Sequence, residues 1–139
     1  MTADCLLDTN VLVYAAMGRS SAPDKYKRAR SVIAVTDFVV SGQVLQEFSV
    51  TVTRKSDKPL SYEKAMEWLD DVRDRPCVQI DLDLVKRGAE IAQRFQISYW
   101  DGAVLAAAEQ IGATIVYSED LNHGQLYGSV RVVNPFRTI

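Results

Sequence analysis

Hydrophobic residues along the chain alternate between short continuous runs and stripes that recur every three or four positions. Short runs bounded by polar residues are typical of buried strands, whereas such stripes are typical of helices with one packed face. We predict strands near residues 4–8, 37–40, 77–81, 113–117 and 130–133. Helical patterns lie between them, in a helix that starts at Val11, in Val44 to Val52, and in residues 61–75, 84–95 and 100–111.

Short strands separated by helices favour a mostly parallel sheet with helices on both faces. We therefore predict an α/β fold with three layers, α/β/α, around a central, mostly parallel sheet of about five strands. The segments Ser20 to Asp24 and Arg54 to Leu60 contain Pro23 and Pro59 and are expected to be loops. We interpret residues 1–139 as one domain, because a chain of this length suits a single core.

The composition is that of an ordinary globular protein, with 47% hydrophobic and 24% charged residues. A net charge of −2 and a pI near 5.4 argue against binding of nucleic acid by an overall positive field, so any such binding is expected to be local. No stretch approaches the roughly 18 to 20 apolar residues of a membrane helix, and we expect a cytoplasmic protein without membrane contact. Cys5 and Cys77 lie in apolar runs, and we interpret both as free, buried thiols.

Acidic residues occur where the predicted fold would bring them together. Asp8 and Asp120 follow apolar runs, and the carboxyl ends of parallel strands share one edge of a sheet. Glu47 and Asp101 lie about 115° and about 85° from the centres of their helical stripes, at the border between core and solvent. Two carboxylates in close contact repel by roughly 4 kcal/mol at an effective dielectric of about 20, so a cation is expected among them. Oxygen ligands without histidine or thiolate favour Mg²⁺ or Mn²⁺.

Each acid also has a structural interpretation when it is considered alone. Asp8 is a favoured residue for a helix N-cap, and Asp101 forms a capping-box pattern with Ser98. Glu47 fits a solvated helix position, and Asp120 suits the cap of a short turn. These interpretations remain open for each residue, but capping does not account for acids in all of these positions at once.

Segments that contain these acids resemble a known family. The segments Leu6 to Leu12, Ser98 to Ala103 and Ser118 to Gly124, with the helical Glu47, are similar to PIN-domain proteins of the VapC toxin type, in order and over essentially the whole chain. The resemblance implies an endoribonuclease that uses Mg²⁺ or Mn²⁺, forms a homodimer and is inhibited by a cognate antitoxin of a type II toxin-antitoxin system. It also implies metal-binding catalytic acids at Asp8, Glu47, Asp101 and Asp120, with Asn10 and Ser118 as polar supports.

On this interpretation Asp8 and Asp101 hold an ion that polarises the scissile phosphate and acidifies a water molecule. Glu47 and Asp120 orient that water or share a second ion, while Asn10 and Ser118 fix the carboxylates by hydrogen bonds. Arrangements with one ion and with two ions both remain open.

Several other residues have two open interpretations. His123 is expected to be a solvated loop residue rather than a general base. Trp100 is expected to pack in the core because it lies in an apolar stripe, with stacking on a base as the alternative. Tyr26, Val32 and Ile33 fit either a dimer interface or the core. A set of basic residues either contacts the RNA backbone or forms solvated faces: Lys25, Lys27, Arg28, Arg30, Arg54, Lys55 and Lys58.

Two alternative functions remain. In a phosphatase like the haloacid dehalogenases, Asp8 would be the nucleophile, but Asn10 cannot donate the proton that such an enzyme needs from that position. A non-catalytic PIN-like module that binds RNA or protein is the second alternative. A receiver-like signalling domain is disfavoured because the run after the first strand lacks paired acids.

Overall fold

The computed structural model describes residues 4–55 and 57–137, and these residues form α-helices and short strands in alternation. The strands are β1 (Cys5–Leu7), β2 (Phe38–Ser41), β3 (Cys77–Val78), β4 (Ile115–Tyr117), β5 (Leu126–Tyr127) and β6 (Val130–Val133). The helices are α1 (Thr9–Ser21), α2 (Pro23–Val35), α3 (Gly42–Val50), α4 (Tyr62–Asp71), α5 (Leu82–Phe95) and α6 (Tyr99–Ile111), and a π-helical turn (Thr51–Lys55) extends α3.

The strands of the described residues form one sheet in the order β3-β2-β1-β4-β6-β5. All neighbours are parallel except β5, which is antiparallel to β6. The predicted α/β fold with a mostly parallel sheet is confirmed, although the sheet has six strands rather than about five. The additional strand, β5, has only two residues, too few for an apolar run to mark it.

Helices cover both faces of this sheet. From β1 the chain proceeds to β2 and β3 on one side, whereas β4 and β6 lie on the other side of β1. Because parallel connections are right-handed, this reversal places α1 to α4 on one face and α5 and α6 on the other. Every residue of β1 and β2 is buried as a result, which explains why these strands are uniformly apolar up to Val40.

The two predicted loops contain more helix than expected. Ala22 alone separates α1 from α2, because Pro23 is well suited to the first position of a helix. The Arg54 to Leu60 prediction is wrong at its start, since helical geometry continues to Lys55, and Ser56 lies outside the described residues.

The cysteines are both free, as predicted, but they differ in burial. Cys5 is buried in the central strand β1, whereas Cys77 is exposed. The prediction that both are buried is wrong for Cys77 because β3 is an edge strand. Within the described ranges, we find no helix with the length and apolar character that crossing a bilayer requires.

Candidate functional site

The candidate site lies where β1 and β4 end side by side in the middle of the sheet. Asp8 directly follows β1, and its backbone N–H donates to the carbonyl oxygen of Tyr117 at 3.0 Å. The chain continues from β1 towards β2 and from β4 towards β6, in opposite directions along the sheet. In open α/β folds a crevice forms where the strand order reverses in this way. The topology therefore places Asp8 at the position where ligands commonly bind.

Asp8 is held by hydrogen bonds from two segments. It is 6% exposed; its Oδ1 accepts from the backbone N–H of Thr9 at 2.8 Å, so it does cap α1. Its Oδ2 accepts from the Ser118 hydroxyl at 2.7 Å. The same hydroxyl oxygen accepts from the backbone N–H of Asp120 at 3.1 Å. Ser118 thus links Asp8 to the segment that carries Asp120.

Three of the four acids expected at the site come together. Asp8, Asp101 and Asp120 each place a carboxylate oxygen within 4.8 Å of the others. Asp101 lies in the first turn of α6, where its backbone N–H donates to the Oγ of Ser98 at 3.1 Å. The capping interaction that the sequence suggested at Ser98 therefore coexists with the acid cluster.

Glu47 lies beside this group rather than within it. It lines the same cleft from α3. Its Oε1 accepts from Gln43 Nε2 at 2.7 Å, and its Oε2 accepts from the Thr9 hydroxyl at 3.1 Å. Both carboxylate oxygens are therefore held by protein donors next to the other acids.

Burial and mutual repulsion disfavour the charged forms of the clustered acids. Burial raises the pKa of Asp8 to about 6, although the hydrogen bonds from Ser118 and Thr9 oppose the shift. Burial also raises the pKa of Asp101, and the negative charge of Glu47 adds to it. For Asp120 burial is again the main cause of a raised pKa, with a contribution from the charge of Asp101. A cation would relieve these costs.

The donor atoms fit a divalent cation. The three converging groups are carboxylates, which hard cations such as Mg²⁺ and Mn²⁺ prefer. No histidine or cysteine belongs to this group in the described parts of the chain, so the arrangement does not match a typical zinc site.

The acids open into a cleft of about 480 Å³. Trp100 lines this cleft and is 63% exposed, so the prediction that it packs in the core is wrong. Residues 102–108 of α6 are buried against the fold, whereas the first turn of the helix borders the cleft. The lining residues are Asp8, Gln43, Gln46, Glu47, Val50, Thr51, Lys55, Trp100, Asp101, Val104 and Asp120.

Asn10 and His123 lie outside the acid cluster. Asn10 Oδ1 is buried and has no hydrogen-bond partner among the described residues. His123 is exposed, and its Nδ1 accepts from the backbone N–H of Asn134 at 3.0 Å. The expectation that His123 is a loop residue agrees with this position.

Sequence reasoning missed Gln43. This residue is 8% exposed, and its Nε2 donates both to Glu47 and to the backbone oxygen of Trp100 at 3.2 Å. It thereby joins α3 to α6 across the cleft. The spacing of four residues between Gln43 and Glu47 was the available signal, because such pairs face each other on a helix.

A second group that the sequence did not reveal holds the segment after β4. Tyr14 donates to Glu119 Oε1 at 2.6 Å, and Lys25 Nζ donates to Glu119 Oε2 at 2.9 Å and to the Tyr14 hydroxyl at 3.2 Å. Glu119 lies between Ser118 and Asp120, so this network fixes α1 and α2 to the site. No periodic pattern connects residues that are so far apart in sequence.

Several of the basic residues have partners inside the protein. Arg28 Nε donates to the carbonyl of Pro135 at 2.9 Å, and Arg30 Nε donates to that of Ala15 at 3.1 Å. Lys55, by contrast, lines the cleft.

Three apolar residues of α2 had been predicted to lie either in a dimer interface or in the core, and they belong mainly to the core. Val32 is 2% exposed and Ile33 packs against the core, whereas Tyr26 is half-buried.

Solved structures with the same fold include bacterial toxins. VapC20 of Mycobacterium tuberculosis, described as a sarcin-ricin loop cleaving toxin, is 16% identical with a TM-score of 0.67, over 84% of this chain and 90% of that one. A toxin-antitoxin complex from Klebsiella pneumoniae gives 17% identity and a TM-score of 0.72, over 95% and 98% of the two chains. VapBC2 of Rickettsia felis, bound to a DNA fragment from its promoter, is 16% identical with a TM-score of 0.62, over 92% of this chain and 96% of that one.

No curated protein matches the sequence of this chain significantly, but a family profile does. The profile of the PIN domain matches residues 5–128, which include all four acids and the strands β1 to β5. This confirms the family to which the sequence motifs pointed. The chain therefore belongs to the PIN domain family.

Proposed function

We propose that the protein is a metal-dependent endoribonuclease, the toxin of a type II toxin-antitoxin system, and that it hydrolyses RNA phosphodiester bonds in the cytoplasm. The observation that carries the proposal is the convergence of Asp8, Asp101 and Asp120 within 4.8 Å at the centre of a PIN fold. Ordinary helix capping does not require these three charges to share a site, whereas binding of a divalent cation does.

In this proposal Asp8, Asp101 and Asp120 hold Mg²⁺ or Mn²⁺, and Glu47 supplies a fourth negative charge beside them. Bound there, the ion would polarise a phosphate and lower the pKa of water, so that hydroxide would be available to attack the phosphorus atom. Ser118 keeps Asp8 oriented through its 2.7 Å hydrogen bond. Asn10 remains a proposed polar support.

A phosphatase with Asp8 as nucleophile is less well supported. Both oxygens of Asp8 already accept hydrogen bonds, from Thr9 and Ser118, and the side chain is 6% exposed. A nucleophile must approach the phosphorus atom directly, whereas a metal ligand needs only to present a lone pair. A non-catalytic module would have no need for the convergent charges.

We further propose that a cognate antitoxin binds this chain and covers the acidic cleft with a basic side chain, and that the toxin is a homodimer. Toxin-antitoxin complexes among the structures of similar fold support the choice of partner. The homodimer rests on the family resemblance and stays a prediction. Co-expression with a small basic partner, followed by measurement of the mass of each species in solution, tests both points.

The direct test is incubation of the purified chain with total RNA, with Mn²⁺ or with a chelator, followed by mapping of the cut sites. We expect cleavage that the chelator abolishes and that Asp8→Asn or Asp101→Asn reduces by at least about 100-fold. The matched control is Asp74→Asn, because Asp74 is exposed and does not line the cleft. Cleavage that persists in the chelator, or full activity of Asp8→Asn, would contradict the proposal.

Thermal unfolding separates metal binding from cleavage. We expect millimolar Mn²⁺ to raise the Tm of the wild-type chain, because an ion that binds only the folded state stabilises it by about 2.7 kcal/mol at a hundred times its Kd. Asp8→Asn, Asp101→Asn and Asp120→Asn should each lose most of this increase. Glu47→Gln should retain more of it, because Glu47 lies outside the 4.8 Å group. An unchanged wild-type Tm would count against a metal centre.

A further inference from the structure

We propose that the part of the cleft beside the acid cluster is a nucleobase subsite, in which the indole of Trp100 stacks on an unpaired base next to the scissile phosphate of single-stranded RNA. This inference rests on the proposed ribonuclease function and specifies the form of its substrate. It adds a binding residue that does not contact the metal.

The exposure of Trp100 is the first observation. A tryptophan side chain gains a large amount of free energy from burial, yet this one is 63% exposed on the wall of the cleft. It is also held in place. Its ring contacts Tyr99 edge to face at 5.1 Å, and its backbone oxygen accepts from Gln43 Nε2 at 3.2 Å. The indole thus extends from an anchored backbone, contacts one neighbouring ring and presents an exposed flat surface to the cleft.

The position of Trp100 is the second observation. It directly precedes Asp101, whose carboxylate belongs to the acid cluster, and both residues line one cleft. A phosphodiester held at the cluster must therefore carry its attached nucleosides into or along the remaining space. Aromatic side chains bind bases of single-stranded RNA in this way because every base has a π-face.

The size and lining of the cleft agree with a nucleotide. An ion with six oxygen ligands, at roughly 30 Å³ for each water-sized group, fills less than half of the 480 Å³. Val50 and Val104 give the remainder an apolar wall suited to a base. Lys55 adds a cation on the same cleft, where a neighbouring phosphate would be attracted.

The base must be unpaired to reach Trp100. In an RNA duplex the bases are stacked within the helix and the deep groove is too narrow for side chains, so an indole in a cleft cannot stack on them. The competing occupant is a side chain of a partner protein. A cation held by the acids, together with Lys55, would attract phosphate groups, and the indole beside them would bind an aromatic ring, which favours a nucleotide over a protein side chain.

Kinetics of three variants on one single-stranded RNA provide the first test. We expect Trp100→Ala to lower kcat/KM by about 5- to 150-fold, which corresponds to loss of ~1–3 kcal/mol of stacking, mainly through a higher KM. Trp100→Phe should recover most of the loss, because it keeps an aromatic face, whereas Trp100→Leu should not. The Mn²⁺-dependent rise in Tm should be unchanged in all three variants, which separates the subsite from the metal site.

Fluorescence provides a test that needs no cleavage. The chain has two tryptophans, so Trp100→Phe leaves Trp68, which packs against Phe48, as the internal background. We expect adenosine monophosphate with Mg²⁺ to quench the fluorescence of the wild-type chain but not that of Trp100→Phe. Ribose 5-phosphate, which has the sugar and the phosphate but no base, should quench neither.

The outcomes separate the subsite from the proposed function. If the wild-type chain cleaves RNA and Trp100→Ala is equally active, the subsite is refuted while the ribonuclease proposal stands. If the wild-type chain cleaves no RNA, the function fails, and quenching by adenosine monophosphate alone still supports a base-binding cleft. Unchanged RNA kinetics together with weaker binding of a co-expressed partner protein would assign Trp100 to a protein interface and overturn the inference.

Discussion

Asp8 combines two roles at the scale of the residue. One carboxylate oxygen caps α1 through Thr9, and the other accepts the Ser118 hydroxyl next to the remaining acids. The cap alone would leave the side chain near solvent, but the position at the centre of the sheet buries it. Because the fold buries this carboxyl group, its pKa also responds to the charges of Asp120 and Glu47.

We expect the metal-free protein to lose stability as the pH rises from about 4 to about 6. Burial raises the pKa of Asp8 from an ordinary value of 3.8 to about 6 in the folded chain, so in this window the folded state holds a proton that the unfolded state has released. The stabilisation is fully present below the pKa of Asp8 in the unfolded chain and is lost as the pH rises through the pKa of Asp8 in the folded chain. The total loss in the free energy of unfolding is about 3 kcal/mol. Urea unfolding in the presence of a chelator measures it.

The control for this dependence is a substitution that removes the titrating group. Asp8→Asn should flatten most of the slope, and the exposed Asp74→Asn should leave it unchanged. A slope that survives in Asp8→Asn would assign the proton to another group.

At this scale the sequence predicts that the acids share one cleft, but it does not predict how each is held or that Glu47 lies outside the 4.8 Å group. Asp8 and Asp120 were identifiable because each follows an apolar run that ends at the same edge of the sheet. The hydrogen bonds that keep Glu47 beside the other acids depend on side-chain conformation, which no periodic pattern records. The prediction that Trp100 packs in the core was wrong because an apolar stripe does not show which turns of a helix contact the sheet. The first turn of α6, which contains Trp100, borders the cleft instead.

At the scale of the element, the position of Asp101 depends on close contact between α5 and α6. A Cβ added at Gly102 would overlap the carbonyl oxygen of Gly88, and one added at Gly88 would lie 3.0 Å from the Cα of Ala103. The two helices therefore touch through their backbones next to the acid cluster.

We expect Gly102→Ala to reduce the free energy of unfolding by about 1–3 kcal/mol, because the methyl group forces the helices apart. The matched control is Gly42→Ala in the first turn of α3. There a Cβ would meet Ile80 at an ordinary 3.4 Å, so we expect no loss and a gain of up to about 1 kcal/mol. Denaturant unfolding of both variants measures the difference. Equal stability of the two variants would mean that α5 and α6 adjust freely.

The network around Glu119 connects α1 and α2 to the segment that carries Asp120. We expect Tyr14→Phe to cost about 1–2 kcal/mol, because it removes a 2.6 Å hydrogen bond to a carboxylate that is partly buried. We also expect it to weaken Mn²⁺ binding several-fold, since Asp120 loses part of its support. The comparison is Tyr62→Phe, which removes a hydroxyl from a side chain that is 72% exposed. Similar losses in both variants would exclude a specific contribution of the network.

The elements themselves were largely predictable. Each predicted strand overlaps one of β1, β2, β3, β4 and β6, because a sheet covered on both faces requires continuous apolar runs. The strand predicted at 77–81 was too long, since β3 contains only Cys77–Val78. The break between α1 and α2 was not predictable, since Pro23 is compatible with a loop or with the first position of a helix. Strand β5 is too short for its pattern to differ from that of a turn.

At the scale of the whole molecule, charge is concentrated rather than spread. The chain has a net charge of −2, its central cleft is lined by four acids, and Lys55 is the basic residue on that wall. Several other basic side chains make hydrogen bonds within the protein, among them Lys25, Arg28 and Arg30. If the chain binds RNA as proposed, this binding should depend on few phosphate contacts.

We expect KM for single-stranded RNA, at saturating metal, to increase with salt with a log–log slope of only about 1, since each phosphate contact on a single strand contributes about 0.7. Lys55→Gln should reduce this slope by roughly 0.7, and Lys27→Gln, at an exposed position on α2, should leave it unchanged. A slope above about 3 would indicate an extended basic track instead.

The bond between Asp8 and Ser118 joins residues that lie 110 positions apart in sequence. The serine, and the aspartate two positions after it, approach the first acid only when β4 is paired with β1. Separation of these two central strands would therefore break the cluster and the sheet together. The arrangement of the acids should be lost in the same cooperative transition as the fold itself, so no partly unfolded form would keep it.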